Sequence, residues 1–143
     1  YGRYDRGNYK RLFALARKRI NVILGDGDNY KPIVYVKDVV GAVKSLLRSE
    51  GLRPGEIFNI CEHNYRYKEI LAIVNEVFAV KPWRIKIPQW ITDGWLAKAG
   101  IFAKLKTLST CITVDNSKMQ AVLKYKPKYD LRSGLEDAKE YYL

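Results

Sequence analysis

Apolar and polar positions along this chain alternate between two rhythms. Residues 9–19 place Leu12, Phe13, Leu15 and Ala16 at helical spacing, with basic residues on the other face, which predicts a helix. Residues 20–24 are short and β-branched and stop at Gly25-Asp26-Gly27-Asp28-Asn29, a dense run of turn formers, so a strand followed by a tight turn is expected. A second strand is expected at 33–36. Asp38 then stands where a helix N-cap would sit, ahead of Val39, Val40, Ala42, Val43, Leu46 and Leu47, and the helix should close near Glu50 and Gly51. A third strand is read at 57–60. Residues 68–79 repeat Ile70, Leu71, Ile73, Val74, Val77 and Phe78 in a helical pattern. Residues 83–87 form a short extended piece ended by Pro88, and 89–105 read as one or two helices broken near Gly100. Asp115 and Asp130 are placed as caps of helices at 117–123 and 131–142.

Strands alternating with helices predict an α/β unit, mostly helical with short strands. A length of 143 residues suits one compact unit. No repeat or low-complexity linker divides it. The chain has no run of about 18 apolar residues and opens without a secretion signal, so a soluble, cytoplasmic protein is expected. Cys61 and Cys111 lack the spacing of a metal site or redox pair, and neither a disulfide framework nor a zinc site is expected. Lys and Arg number 26 against 15 Asp and Glu, a formal charge of +11 that favours anionic ligands in general. With three Trp, eleven Tyr and four Phe, a nucleic-acid-binding module is one reading. The basic residues are spread over every element and match no recognised binding motif, so no nucleic-acid partner is expected.

Four stretches carry a more specific signal. The chain opens with Tyr1-Gly2 and Asp5-Arg6-Gly7-Asn8. Leu24-Gly25-Asp26-Gly27-Asp28-Asn29 is followed by Val34-Tyr35-Val36-Lys37-Asp38-Val39-Val40. Gly55-Glu56-Ile57-Phe58-Asn59-Ile60 leads to the helix through Lys68-Glu69. The last stretch runs from Asp115-Asn116-Ser117-Lys118 through Leu123-Lys124-Tyr125-Lys126-Pro127 to Asp130-Leu131-Arg132-Ser133-Gly134-Leu135 and the pair Tyr141-Tyr142. In this order they resemble the carboxy-terminal part of extended short-chain dehydrogenase/reductases, the NAD-dependent nucleotide-sugar epimerases and dehydratases typified by UDP-glucose 4-epimerase. The resemblance implies a substrate-binding lobe over 1–143, with about 38–60 adding an edge strand and helix to a Rossmann-type NAD(P)-binding domain that lies elsewhere.

The resemblance also assigns roles. Lys31 stands where many members carry an arginine that holds the substrate diphosphate; lysine supplies the charge without the two-pronged geometry. Val22 and Leu24 fall where the family lays contacts against the nucleotide base, and Asn8 falls near a polar contact to substrate. Core packing is the alternative for Val22 and Leu24. The expected partner is a nucleoside-diphosphate sugar. NAD or NADP would serve the parent enzyme, with none bound by this stretch alone. Gly25-Asp26-Gly27 is not a dinucleotide fingerprint, because it lacks the third glycine and leads to a strand where that motif requires a helix. Neither a Gly-x-x-Gly-x-x-Gly loop nor a Tyr-x-x-x-Lys pair occurs, so no catalytic residue is assigned and the chain by itself is expected to be inactive.

His63, the only histidine, reads as a loop residue without a catalytic role. A steroid- or flavonoid-type reductase of the same superfamily is a neighbouring reading. The aromatic and lysine-rich stretch 89–106 reads as core or lid rather than as a membrane-surface helix. Deprived of the cofactor sheet, the strand at 57–60 and the helix after Asp38 would expose apolar surface, so self-association is expected.

Overall fold

Three helices close on one another because each carries a buried stripe at helical spacing. The computed structural model describes residues 1–88 and 110–142, so the helices expected at 89–105 lie outside the described residues. Among the described residues the elements are α1 (Asn8–Arg17), β1 (Ile20–Leu24), β2 (Tyr30–Ile33), α2 (Val36–Arg48), β3 (His63–Arg66), α3 (Tyr67–Val77), β4 (Trp83–Ile87), α4 (Ser117–Leu123) and α5 (Leu131–Tyr142). Phe13 and Ala16 of α1, Ile70, Val74 and Val77 of α3, and Leu131, Leu135 and Ala138 of α5 share one buried core with Ile33 and Tyr35. Leu15, counted with the buried face of α1 from its spacing, is exposed.

Each of two small sheets contains two strands. β1 pairs parallel with β4, Ile20 opposite Trp83 and Leu24 opposite Ile87, and α3 lies on the path between them. β2 pairs antiparallel with β3, Lys31 opposite Tyr65 and Ile33 opposite His63. The strand expected at 33–36 is therefore shifted toward the amino terminus. Its ladder ends at Ile33, and α2 has begun at Val36, with the Tyr35 carbonyl accepting from the Asp38 and Val39 amides at 3.0 and 3.2 Å.

Asp38 is not an N-cap. It sits inside the first turn of α2 and is fully buried. Its Oδ1 accepts from the Tyr125 hydroxyl at 2.9 Å and from the Lys128 amide at 2.8 Å, while Oδ2 accepts from the Tyr129 amide at 3.1 Å. A carboxylate removed from water needs such donors, and here they come from the link that leads into α5. Asp130 does cap as expected, its Oδ1 accepting from the Ser133 amide at 2.8 Å. Asp115 bonds the Ser117 amide at 2.9 Å one step earlier, and Asn116 takes the cap position of α4.

The strand expected at 57–60 has no ladder partner among the described residues. Its side chains still alternate: Phe58 and Ile60 pack against Ala42, Met119 and Leu123, while Ile57 faces outward at 80% exposure. α2 presents Val36, Val40, Val43 and Leu47 on one exposed stripe, Leu47 again at 80%. Among the described residues no helix is long and apolar enough to cross a membrane.

The clamp on Asp38 sets an expected order of stabilities. Asp38→Ala leaves two amides and a hydroxyl without their acceptor and should cost about 3 kcal/mol or more, whereas Tyr125→Phe removes one of three donors and should cost about 1 kcal/mol. Urea titrations of the two variants would show this gap; equal, small losses would mean that the link is held by packing instead.

Candidate functional site

The turn after β1 determines how the candidate residues are presented. Gly25 and Gly27 adopt φ values of +66° and +75°, a left-handed backbone that side chains with a Cβ rarely take. The turn is pinned from both sides. Asp28 lies 2.5 Å from the Lys68 ammonium and 3.2 Å from the Arg66 guanidinium, and Lys68 holds its carboxyl below the usual range. The amides of Tyr67 and Lys68 donate to the carbonyls of Asn29 and Gly27 at 2.9 and 3.0 Å. The start of α3 therefore fixes where β1 ends and β2 begins, and Glu69 closes that start by accepting from the Arg66 amide at 2.9 Å.

Val22 and Leu24 lie two apart on β1, opposite Ile85 and Ile87 of β4. Val22 is half-buried, and its carbonyl accepts from the Tyr67 hydroxyl at 3.2 Å. Asn8 opens α1. Lys31, on β2 in the other sheet, is 9% exposed, and its ammonium donates to the Thr110 carbonyl at 2.6 Å. Burial lowers the pKa of that ammonium. An anion at the same place would offset the desolvation that the lysine undergoes.

The segment beginning at Thr110 is stitched to β2 and β3 by backbone-mimicking amides. Asn64 accepts from the Val114 amide at 2.9 Å and donates to its carbonyl at 3.0 Å, Asn116 donates to the Cys61 carbonyl, and the Ile112 amide donates to the Tyr30 carbonyl at 2.9 Å. Beside these contacts lies an open polar pocket of about 400 Å³ walled by Cys61 to Asn64 and Thr113 to Asn116. Burial raises the Glu62 carboxyl, which Tyr65 bonds. His63 lies across the Tyr65 ring at 4.8 Å. Neither Asn64 nor Thr110 was identifiable from the sequence, since both act through partners about 50 or more residues away. Among the described residues no cluster of His, Cys, Asp and Glu has the make-up of a metal site, and Cys61 and Cys111 are unpaired thiols.

Buried phenols around this framework give it a pH signature. Tyr67 and Tyr9 are each pushed up to about 12, with burial as the leading cause; Tyr125 and Tyr142 reach the same value, again mainly through burial. A group whose folded pKa is raised contributes stability that is complete below its unfolded pKa of about 10 and is lost as pH rises toward the folded value. Stability in urea should hold steady to pH 9.5 and fall between pH 10 and 12. Phenol absorbance titrating with a single midpoint near 10, without loss of stability, would contradict this.

No family model matches the sequence, and the search of curated proteins finds no match. Solved structures do match. UDP-glucuronic acid 4-epimerase from Bacillus cereus, in complex with NAD, aligns over 99% of this chain and 41% of its own, with 19% identity and a TM-score of 0.74. UDP-glucose 4-epimerase from Thermotoga maritima, with UDP-glucose, aligns over 99% and 42%, with 22% identity and a TM-score of 0.70. dTDP-glucose 4,6-dehydratase from Bacillus anthracis, in complex with NAD, aligns over 99% and 41%, with 20% identity and a TM-score of 0.68. The chain thus spans about two-fifths of the length of the structures it matches, and it has the fold of that part of an extended short-chain dehydrogenase/reductase.

Proposed function

We propose that this chain is the substrate-side lobe of a longer NAD(P)-dependent enzyme that acts on a nucleoside-diphosphate sugar, with a UDP-sugar 4-epimerase as the leading assignment. The observation that carries the reading is the fold likeness over 99% of the chain to several enzymes, each named for a sugar nucleotide. Fold alone does not determine chemistry, so the reading also draws on the candidate residues. In it, Lys31 meets the diphosphate, Val22 and Leu24 border the base, and Asn8 contacts the substrate. NAD or NADP would supply the transient oxidation of a sugar carbinol and the return of hydride. This chain contributes binding and orientation, while the cofactor loop and the tyrosine–lysine pair would belong to the remainder of the enzyme.

The exposed stripe of α2 and the unpaired extended segment ending at Ile60 support a second part of the proposal. Val36, Val40, Val43 and Leu47 recur every three or four residues, the pattern of a helix face made to be covered, and Ile57 is a further exposed apolar residue, in the extended segment. A cofactor domain is the proposed cover, with 57–60 joining the edge of its sheet.

Two measurements test these claims. In the longer, NAD-loaded enzyme, Lys31→Ala should raise KM for a UDP-sugar about ten-fold or more while kcat changes less than two-fold, and Lys31→Arg should restore KM. Absence of any sugar-nucleotide interconversion, or an unchanged KM in Lys31→Ala, would remove the assignment. The 143-residue chain by itself should self-associate, and Val43→Lys with Leu47→Lys should return it to a monomer by light scattering. A monomeric, unsubstituted 143-residue chain at high concentration would show that the stripe needs no cover.

A further inference from the structure

Basic residues that are scattered along the sequence converge on one groove. Between α2, α4 and the link that follows α4 runs an open cleft of about 830 Å³, bordered by Lys44, Arg48, Lys124, Lys126 and Lys128 and by no carboxylate. Among the described residues none of these five cations is in an ion pair, whereas Lys37, Arg66, Lys68, Lys118 and Arg132 each have an acidic partner. Asp38, the acid that bonds this link, is fully buried and does not line the groove, with both oxygens committed to Tyr125, Lys128 and Tyr129. The groove thus concentrates positive charge that the protein itself leaves uncompensated.

The arrangement of the charges indicates the shape of their counterpart. Lys44 and Arg48 are one helical turn apart, about 6 Å along α2. Lys124, Lys126 and Lys128 alternate along a link without helical structure, which can carry them over at most about 13 Å, the length of a fully extended chain. Neighbouring charges in each row, about 6 to 7 Å apart, lie within the Debye length of about 8 Å at physiological salt, so adjacent cations repel one another until an anion arrives. A lone phosphate would meet one or two of them. An anion with several charges in a row would meet both rows at once.

We propose that this groove binds a linear oligophosphate, three or more phosphates linked in a chain. The site is separate from the residues assigned to the sugar nucleotide. Its centre also lies roughly a third of a turn around α2 from the Val36, Val40, Val43 and Leu47 stripe. Tyr125 and Gly41 shape its floor. A Cβ on Gly41 would clash with the Tyr125 hydroxyl and ring edge, so glycine lets that ring lie against α2 in its bond to Asp38.

Calorimetric titration of the 143-residue chain at physiological salt tests the proposal, with tripolyphosphate, ATP and orthophosphate as probes. Tripolyphosphate and ATP should both bind, with orthophosphate at least ten-fold weaker. Near-equal affinities would assign recognition to the phosphate chain alone, whereas a ten-fold preference for ATP would add the nucleoside; either result supports the groove. Lys44→Glu with Lys126→Glu should weaken tripolyphosphate at least ten-fold, and Arg11→Glu with Lys81→Glu, equal in charge but distant in sequence and exposed, less than two-fold. Should the first pair fail to fold by circular dichroism, Lys126→Gln with Lys128→Gln replaces it, since the bond from the Lys128 amide to Asp38 survives any change of side chain. Equal losses in the two pairs, absence of tripolyphosphate binding, or tighter binding of a single-stranded oligonucleotide than of tripolyphosphate would overturn the proposal, the last in favour of a nucleic-acid partner.

Discussion

A single buried carboxylate holds the two halves of this fold together. Asp38 belongs to α2, and every donor it meets lies in the short link between α4 and α5. α5 in turn supplies Leu131, Leu135 and Ala138 to the main core, while α4 supplies Met119 and Leu123 to the smaller one beneath α2. Burying a charge costs several kcal/mol unless it is fully hydrogen-bonded, so the chain is committed to one path at this point. Where the link runs determines where α5 lies, and α5 closes the aromatic cluster of Phe13, Tyr35 and Tyr142.

That cluster does a second job. The Tyr142 hydroxyl accepts from the Gly2 amide and donates to the Gly2 carbonyl, both at 2.8 Å, and Tyr35 and Lys37 both reach Asp137 of the same helix. Residues at the two ends of the sequence are thereby fastened to the framework that carries β2. The candidate Lys31 sits on β2, so its position depends on contacts made more than a hundred residues away.

Local pattern made the helices legible. α1, α3 and α5 lie within a few residues of where apolar spacing placed them, because their burial stripes repeat within one element. β1 and β4 were legible for a similar reason, being short β-branched runs bounded by Gly or Pro. The expectations that failed depended on distant partners. Asp38 precedes an apolar helix as a cap would, and only the fold reveals that its donors come from Tyr125, Lys128 and Tyr129. The run at 57–60 has the composition and alternation of a strand, yet a ladder requires a neighbour that composition cannot supply. The role proposed for Lys31 rests on resemblance, while Thr110 and Asn64, which tie the Lys31 region to the segment after it, gave no signal in the sequence. The basic groove went unseen for the converse reason: its charges are dispersed along the chain and meet only when α2 and α4 pack.

The approach of α2 to the Tyr125 ring has a consequence for how this protein has been free to change. Position 41 accepts nothing larger than hydrogen while position 125 holds a phenol, and the phenol is itself engaged by Asp38. Divergent descendants should therefore change these two positions together: a methyl at 41 would be tolerated only alongside a smaller residue at 125, while the amides of residues 128 and 129 would still hold an acid at 38.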